Sequence, residues 1–189
     1  MTAPSSLDAR PLPPLTRRQG LALGLIGLGG LGGLLSACGK PDEAPPAPSE
    51  IVAGLSCDLD GMLLADYPGP KGQILYVGDA KPHWFCDTVE LFNVLLKPEQ
   101  QRAVRVAYTQ DMAQADWEIP RGHWFDVRQG FYVLGSKRQG SMGPTIASFK
   151  EQAAAQAFAQ AFGGKVLAFA ALKPDMVDLS GGAQQDSRM

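Results

Sequence analysis

Three cysteines, six methionines and two histidines are the residues of this 189-residue chain best suited to hold a soft metal or to exchange electrons. Cys57-Asp-Leu-Asp-Gly-Met62 sets a thiol and a thioether five positions apart, and Gly61 lets the backbone turn so that both sulfurs can face one point. Thiolate and thioether donors together select Cu(I), whereas zinc prefers closed Cys and His sets and calcium or magnesium needs oxygen. Met142, in Gly140-Ser-Met-Gly-Pro144, is a loop methionine without periodic apolar partners, which makes it either a ligand or a side chain packed beneath its loop. Cys86, in His83-Trp-Phe-Cys-Asp-Thr88, stands just ahead of an expected helix N-terminus, where a thiol loses its proton more easily. That position suits metal binding and disulfide chemistry alike, and a Cys57–Cys86 bond is the competing expectation for an exported chain. His83 is a further candidate for completing a sulfur site, with an ordinary surface role as the alternative. Met112 and His123 read as packing and structural residues, and Met176 falls outside the expected fold.

Other chemistries have little support. Seventeen Lys and Arg against nineteen Asp and Glu give a net charge of −2, so no basic surface points to nucleic acid. Neither histidine accompanies a Gly-x-Ser-x-Gly elbow, there is no Cys-x-x-Cys pair, and the acidic residues Asp58, Asp60, Asp66, Asp111, Asp116 and Asp126 are scattered. No catalytic constellation emerges, and the chain is not expected to be an enzyme.

The N-terminus reads as an address. From Gln19 to Gly39 there is no charge, Arg17-Arg18 precedes the apolar run, and Leu35-Ser36-Ala37-Cys38 closes it. This is the anatomy of a lipoprotein export signal over residues 1–37, with Cys38 as the lipid attachment point. A spanning helix is the alternative, but six glycines between Leu21 and Ala37 lower both helix propensity and hydrophobicity. Weak apolarity behind a twin arginine favours Tat export over Sec. Lipidation would hold the chain at a membrane surface without a spanning helix. Residues 38–56, with four prolines in Pro41-Asp-Glu-Ala-Pro-Pro-Ala-Pro-Ser49, form an extended tether with a reach on the order of 50 Å.

The elements that must position the sulfurs fall in residues 57–173. Expected strands at Met62–Asp66 and Gln73–Val77 precede a helix that Asp87 and Glu90 open as a capping box, with Leu91, Phe92, Leu95 and Leu96 on one face. Val104, Val106 and Tyr108 alternate as the next strand, closing a first unit at 57–117. Strands at Trp124–Val127 and Phe131–Leu134, a helix capped by Ser148 and Glu151, and a doubly buried strand at Lys165–Ala171 form a second unit at 118–173. The expected fold is α+β, two consecutive ββαβ units in a small two-lobed domain, and residues 174–189 form a disordered tail.

These blocks, in this order, resemble the NosL family of nitrous oxide reductase accessory lipoproteins, which are copper chaperones. The resemblance rests on Cys57 to Met62, Asp66-Tyr-Pro-Gly-Pro-Lys71, Phe85-Cys-Asp-Thr88, Tyr108-Thr-Gln-Asp-Met112, Trp117, Trp124-Phe-Asp-Val127, Tyr132-Val-Leu-Gly-Ser136, Gly140-Ser-Met-Gly143 and Gly163-Gly164-Lys-Val. It implies a fold of two ββαβ units and a lipid-anchored Cu(I) carrier on the periplasmic side of a bacterial membrane. It also implies delivery of copper for the centres of nitrous oxide reductase, together with an ABC-type assembly system. Carried over by position, Cys57 would be the anchoring thiolate and Met62 and Met142 the candidate thioethers. One departure is Asp60, which stands where many members have a second cysteine before the Gly-Met pair. Its loss of a soft ligand makes Cys86 or His83 the substitute. A disulfide-bonded, lipid-tethered interaction domain without metal is the alternative function.

Overall fold

The computed structural model describes residues 44–97, 99, 102–177 and 179. The signal expected over 1–37 and the lipid site Cys38 lie outside the described residues, and among those described no helix is long and apolar enough to cross a membrane.

Two antiparallel sheets carry the fold. The first has four strands in the order β2 (His83–Phe85), β1 (Gly72–Tyr76), β3 (Val104–Gln110) and β4 (Trp124–Asp126). The second has three, in the order β8 (Ala147–Phe149), β5 (Phe131–Leu134) and β9 (Lys165–Ala168). Helix α1 (Thr88–Leu95) links β2 to β3, and α2 (Gln152–Phe162) links β8 to β9. Each half therefore has a central first strand, a second strand on one side, a helix, and a last strand on the other side. This is an α+β fold with the ββαβ order repeated. A two-stranded ribbon, β6 (Gln139–Gly140) and β7 (Gly143–Pro144), is inserted into the second half.

Several strands differ from expectation for local reasons. Met62–Asp66 is not a strand: Leu64–Asp66 forms a 3-10 turn, and only a Ser56–Leu63 bridge precedes it. The loop before it folds back on itself, with Cys57 N–H donating to Met62 O at 2.8 Å, so its backbone is spent locally. His83–Phe85 takes the place beside β1. The strand at Trp124, expected to open the second unit, pairs with β3 of the first sheet. Asp111 N–H donates to His123 O just beyond that pairing, so a short excursion returns the chain beside β3. Lys165–Ala168 is half exposed rather than buried on both faces, because it lies at the edge of its sheet, and Phe169–Ala171 turns into a 3-10 segment. The interior strand β5 supplies the buried Tyr132 and Val133 instead.

The two helices start differently. Asp87 caps α1 by accepting from Val89 N–H at 2.8 Å, as its position predicts. The Ser148–Glu151 capping box does not form. Glu151 is the N-cap of α2 without a side-chain bond, while Ser148 lies in β8 and its hydroxyl donates to Gln110 O at 2.6 Å.

One core spans both halves. Ile74, Phe85, Leu91, Phe92 and Ala107 pack with Val127, Tyr132 and Ile146, and Phe92 meets Tyr132 edge to face with ring centroids 4.7 Å apart. Part of the expected tether is docked on this body. Tyr108 hydroxyl donates to Pro46 O at 2.7 Å, Gln73 and Ser49 exchange two bonds of 3.0 Å, and Ile51 is buried. Residues 38–43 of that tether lie outside the described residues. At the other end Val177 is buried and its carbonyl accepts from Asn93 at 2.9 Å, which extends the packed chain past the expected boundary at 173.

Candidate metal site

Cys57 is held by a tight loop. Gly61 N–H donates to Cys57 O at 3.0 Å and Met62 N–H to Asp60 Oδ1 at 2.9 Å, and Gly61 sits at φ +79°, a conformation that L side chains rarely adopt. A reciprocal clamp joins this loop to β2. Asp58 N–H donates to Trp84 O at 2.8 Å, and Trp84 N–H returns a bond to Asp58 Oδ2 at 2.5 Å. Cys86 follows β2 directly and precedes the N-cap Asp87, so the strand and the helix start together fix its place.

The β6–β7 ribbon approaches from a third direction. Gly140 has no room for a side chain, since a Cβ there would strike the Asp87 carboxylate and Thr145. That close approach sets Ser141 Oγ 2.9 Å from Cys86 O and 3.3 Å from Cys86 Sγ.

The two thiols and two carboxylates converge. Cys57 and Cys86 are both free and buried, and one ligand atom from each of Cys57, Asp60, Cys86 and Glu90 lies within 4.8 Å of the others. Glu90 Oε2 stands 3.3 Å from Cys57 Sγ, 3.2 Å from Cys86 Sγ and 3.1 Å from the Cys86 N–H that donates to it. Asp60, exposed on the rim, has Oδ2 3.6 Å from Cys86 Sγ. Glu90 Oε1 is buried without a hydrogen-bond partner, an unmet polar group of the kind that a cation satisfies.

The electrostatics divide the two cysteines. Cys57 is pushed toward thiolate, first by the hydrogen bond from the Cys86 thiol and then, against the penalty of burial, by the Leu59 N–H at 3.4 Å. Cys86 is pushed the other way, because its proton serves that bond and because it is buried. Burial raises the Glu90 carboxyl to about 8, opposed by its bond with Cys86 and reinforced by the charge on Cys57. Behind them lies Lys71, fully buried, with Nζ donating to Pro68 O at 2.9 Å and Cys86 O at 3.0 Å. Burial lowers it to about 8, while Asp87, Cys86 and Glu90 hold it up.

The candidate residues from the sequence thus have different fates. Cys57 and Cys86 meet as free thiols, against the expectation of a disulfide. Met62 packs half-buried on the cluster of Cys57, Cys86, Leu64 and Trp84. Met142, 36% exposed, occupies the ribbon tip one residue from Ser141. His83 is engaged elsewhere, with Nε2 3.0 Å from Asp79 and Nδ1 3.6 Å from Asp58. Met112 packs against Val133 and Phe149, in keeping with a packing role. Glu90 was readable only as a capping residue, and Asp60 only as a missing soft ligand. The signal for Glu90 was its spacing, four positions after Cys86 across the first turn of α1, which brings its carboxylate back to the thiol.

A small α+β body that brings two buried thiols and two carboxylates within 4.8 Å of one another offers the donors of a metal-binding site. The chain belongs to the NosL family, whose profile matches residues 48–177. It is 36% identical over 138 residues to the copper-binding lipoprotein NosL of Stutzerimonas stutzeri, covering 71% of this chain and 72% of that one. It is also 36% identical over 148 residues to the copper-binding lipoprotein NosL of Achromobacter cycloclastes, covering 76% and 77%. The crystal structure of the copper chaperone NosL from Shewanella denitrificans superposes with a TM-score of 0.66 at 35% identity, over 70% of this chain and 99% of that one. These relatives are described as copper binders and a copper chaperone, in agreement with a chain that is not an enzyme.

Proposed function

We propose that this chain is a lipid-anchored Cu(I) carrier on the periplasmic side of a bacterial membrane, attached through Cys38. Copper is its cargo. The observation that supports this most is the pair of free buried thiols, Cys57 and Cys86, whose sulfurs lie within 4.8 Å of each other, with Met62 packed beside them and Met142 on the adjoining ribbon tip. Two sulfurs from cysteine and one or two from methionine make a soft set that prefers Cu(I) to zinc or to hard ions. Cys57, already disposed to lose its proton, is the anchoring thiolate.

Burial of the thiols limits loss of the ion to water, and the half-exposed methionines leave a face open to a recipient. A recipient offering further soft ligands takes the ion through a shared intermediate. The recipient in this reading is nitrous oxide reductase, served with an ABC-type copper-centre assembly system, as the resemblance to the NosL family of accessory lipoproteins implies.

The test is a titration of the reduced full chain with Cu(I) against a chromophoric chelator, alongside Cys57→Ser, Cys86→Ser and Met142→Leu. The reading expects near-stoichiometric tight binding that is lost in Cys57→Ser and weakened in the other two. No competition by the native chain refutes it and leaves the tethered interaction domain, and equal tight binding by the native chain and Cys57→Ser refutes Cys57 as the anchor.

A further inference from the structure

Two of the four donors at this site do nothing for Cu(I). Asp60 and Glu90 offer carboxylate oxygens within 4.8 Å of both thiols, and Cu(I) gains little from such hard ligands. Cu(II), by contrast, binds well to oxygen and nitrogen donors and oxidises thiols. The two sulfurs are moreover free, both hydrogen-bonded to Glu90 Oε2, and within 4.8 Å of each other, close enough for a small movement to join them.

From this geometry we infer that the site reduces Cu(II) with its own thiols, Asp60 and Glu90 receiving the ion and Cys57 and Cys86 supplying the electrons. This rests on the copper site proposed above. Two cupric ions are consumed per chain. Each takes one electron and becomes Cu(I); the two S–H bonds break, one Cys57–Cys86 bond forms, and two protons pass to water. Burial of both sulfurs selects the oxidant. Cys57 is 3% exposed and Cys86 is wholly enclosed, so a small ion entering past the exposed Asp60 reaches them where a protein disulfide cannot. The reaction is stoichiometric rather than a turnover, and it has a consequence for cargo. Once the disulfide forms, the soft pair is gone and the chain releases its copper until a dithiol reductant restores it.

The test uses the reduced full chain carrying Cys38→Ser, so that Cys57 and Cys86 are its thiols. Copper(II) sulfate is added without oxygen, and the readouts are free thiol, Cu(I) trapped by a coloured chelator, the cupric spin signal and intact mass. The expected result is two Cu(I) per chain, no free thiol, loss of the spin signal and a monomer lighter by two hydrogens. Cys86→Ser should lose the intramolecular product. Asp60→Asn should slow reduction severalfold. A persistent spin signal with both thiols intact overturns the inference, as does a disulfide that only joins two chains, or an Asp60→Asn rate equal to the native one. A parallel Cu(I) titration separates the two proposals: tight Cu(I) binding without thiol loss upholds the carrier even where the cupric reaction fails.

Discussion

Replacing Glu90 by Gln should stabilise the metal-free, reduced protein in alkali and leave it nearly unchanged in acid. The carboxyl is buried against two thiols, and burial raises it from 4.5 to about 8. In the unfolded chain the group has released its proton by pH 5, whereas the folded chain keeps it until about pH 8. The folded state therefore binds more protons across that window, so this group's contribution to stability falls as pH rises through it and is level above. Over that span the penalty is about 2 to 5 kcal/mol, the upper figure applying only if no water enters the site. Cys57, with its pKa lowered, acts in the opposite direction toward alkali, so the native curve alone would conceal the effect. The difference between native and Glu90→Gln isolates it. Urea unfolding of the full chain carrying Cys38→Ser, at pH 5 and pH 9 with reductant and chelator, measures that difference directly. A variant that is equally destabilised at both pH values would show that Glu90 is an ordinary hydrogen-bonding residue without a buried charge to lose.

Other expectations follow from the same geometry. Alkylation of the reduced chain under mild conditions, read by peptide mass, should mark Cys57 before Cys86, because the hydrogen bond between them favours the Cys57 thiolate and keeps Cys86 protonated; the reverse order contradicts that assignment. Gly140→Ala should cost about 1 to 3 kcal/mol by forcing the ribbon away from Asp87 and Thr145, and should weaken Cu(I) binding as Ser141 and Met142 withdraw. Denaturation with a parallel chelator titration measures both effects. Phe92→Ala removes a fully buried ring from the shared core and should cost about 3 to 5 kcal/mol in denaturant unfolding, with Cu(I) stoichiometry unchanged under conditions where the variant is folded.

What could be read from the chain depended on whether the cause was local. The turn at Gly61, the cap at Asp87, the apolar face carrying Leu91 and Phe92 and the alternation in β3 each follow from neighbours within a few residues. Pairing does not. His83–Phe85 gave no alternating signal long enough to mark a strand, yet it flanks β1; Trp124–Asp126 marked a strand but not its partner, which is β3. Ser148 and Glu151 had the spacing of a capping box, but the sheet claimed Ser148 through Gln110. The site divides in the same way. Cys57, Met62, Cys86 and Met142 were candidates from sulfur chemistry and from the family blocks, and the structure groups Cys57, Cys86 and Met62 in one cluster. Convergence of Glu90 and Asp60 on the thiols required the clamp between Asp58 and Trp84, a contact across 26 positions that no periodicity announces.

Whether Cys57 and Cys86 hold Cu(I) together is decided by X-ray absorption at the copper edge of the full chain loaded with one Cu(I), compared with Cys86→Ser. A shell dominated by sulfur, with one sulfur fewer in the variant, is expected. A shell of nitrogen and oxygen, or a sulfur count unchanged by Cys86→Ser, would refute joint coordination.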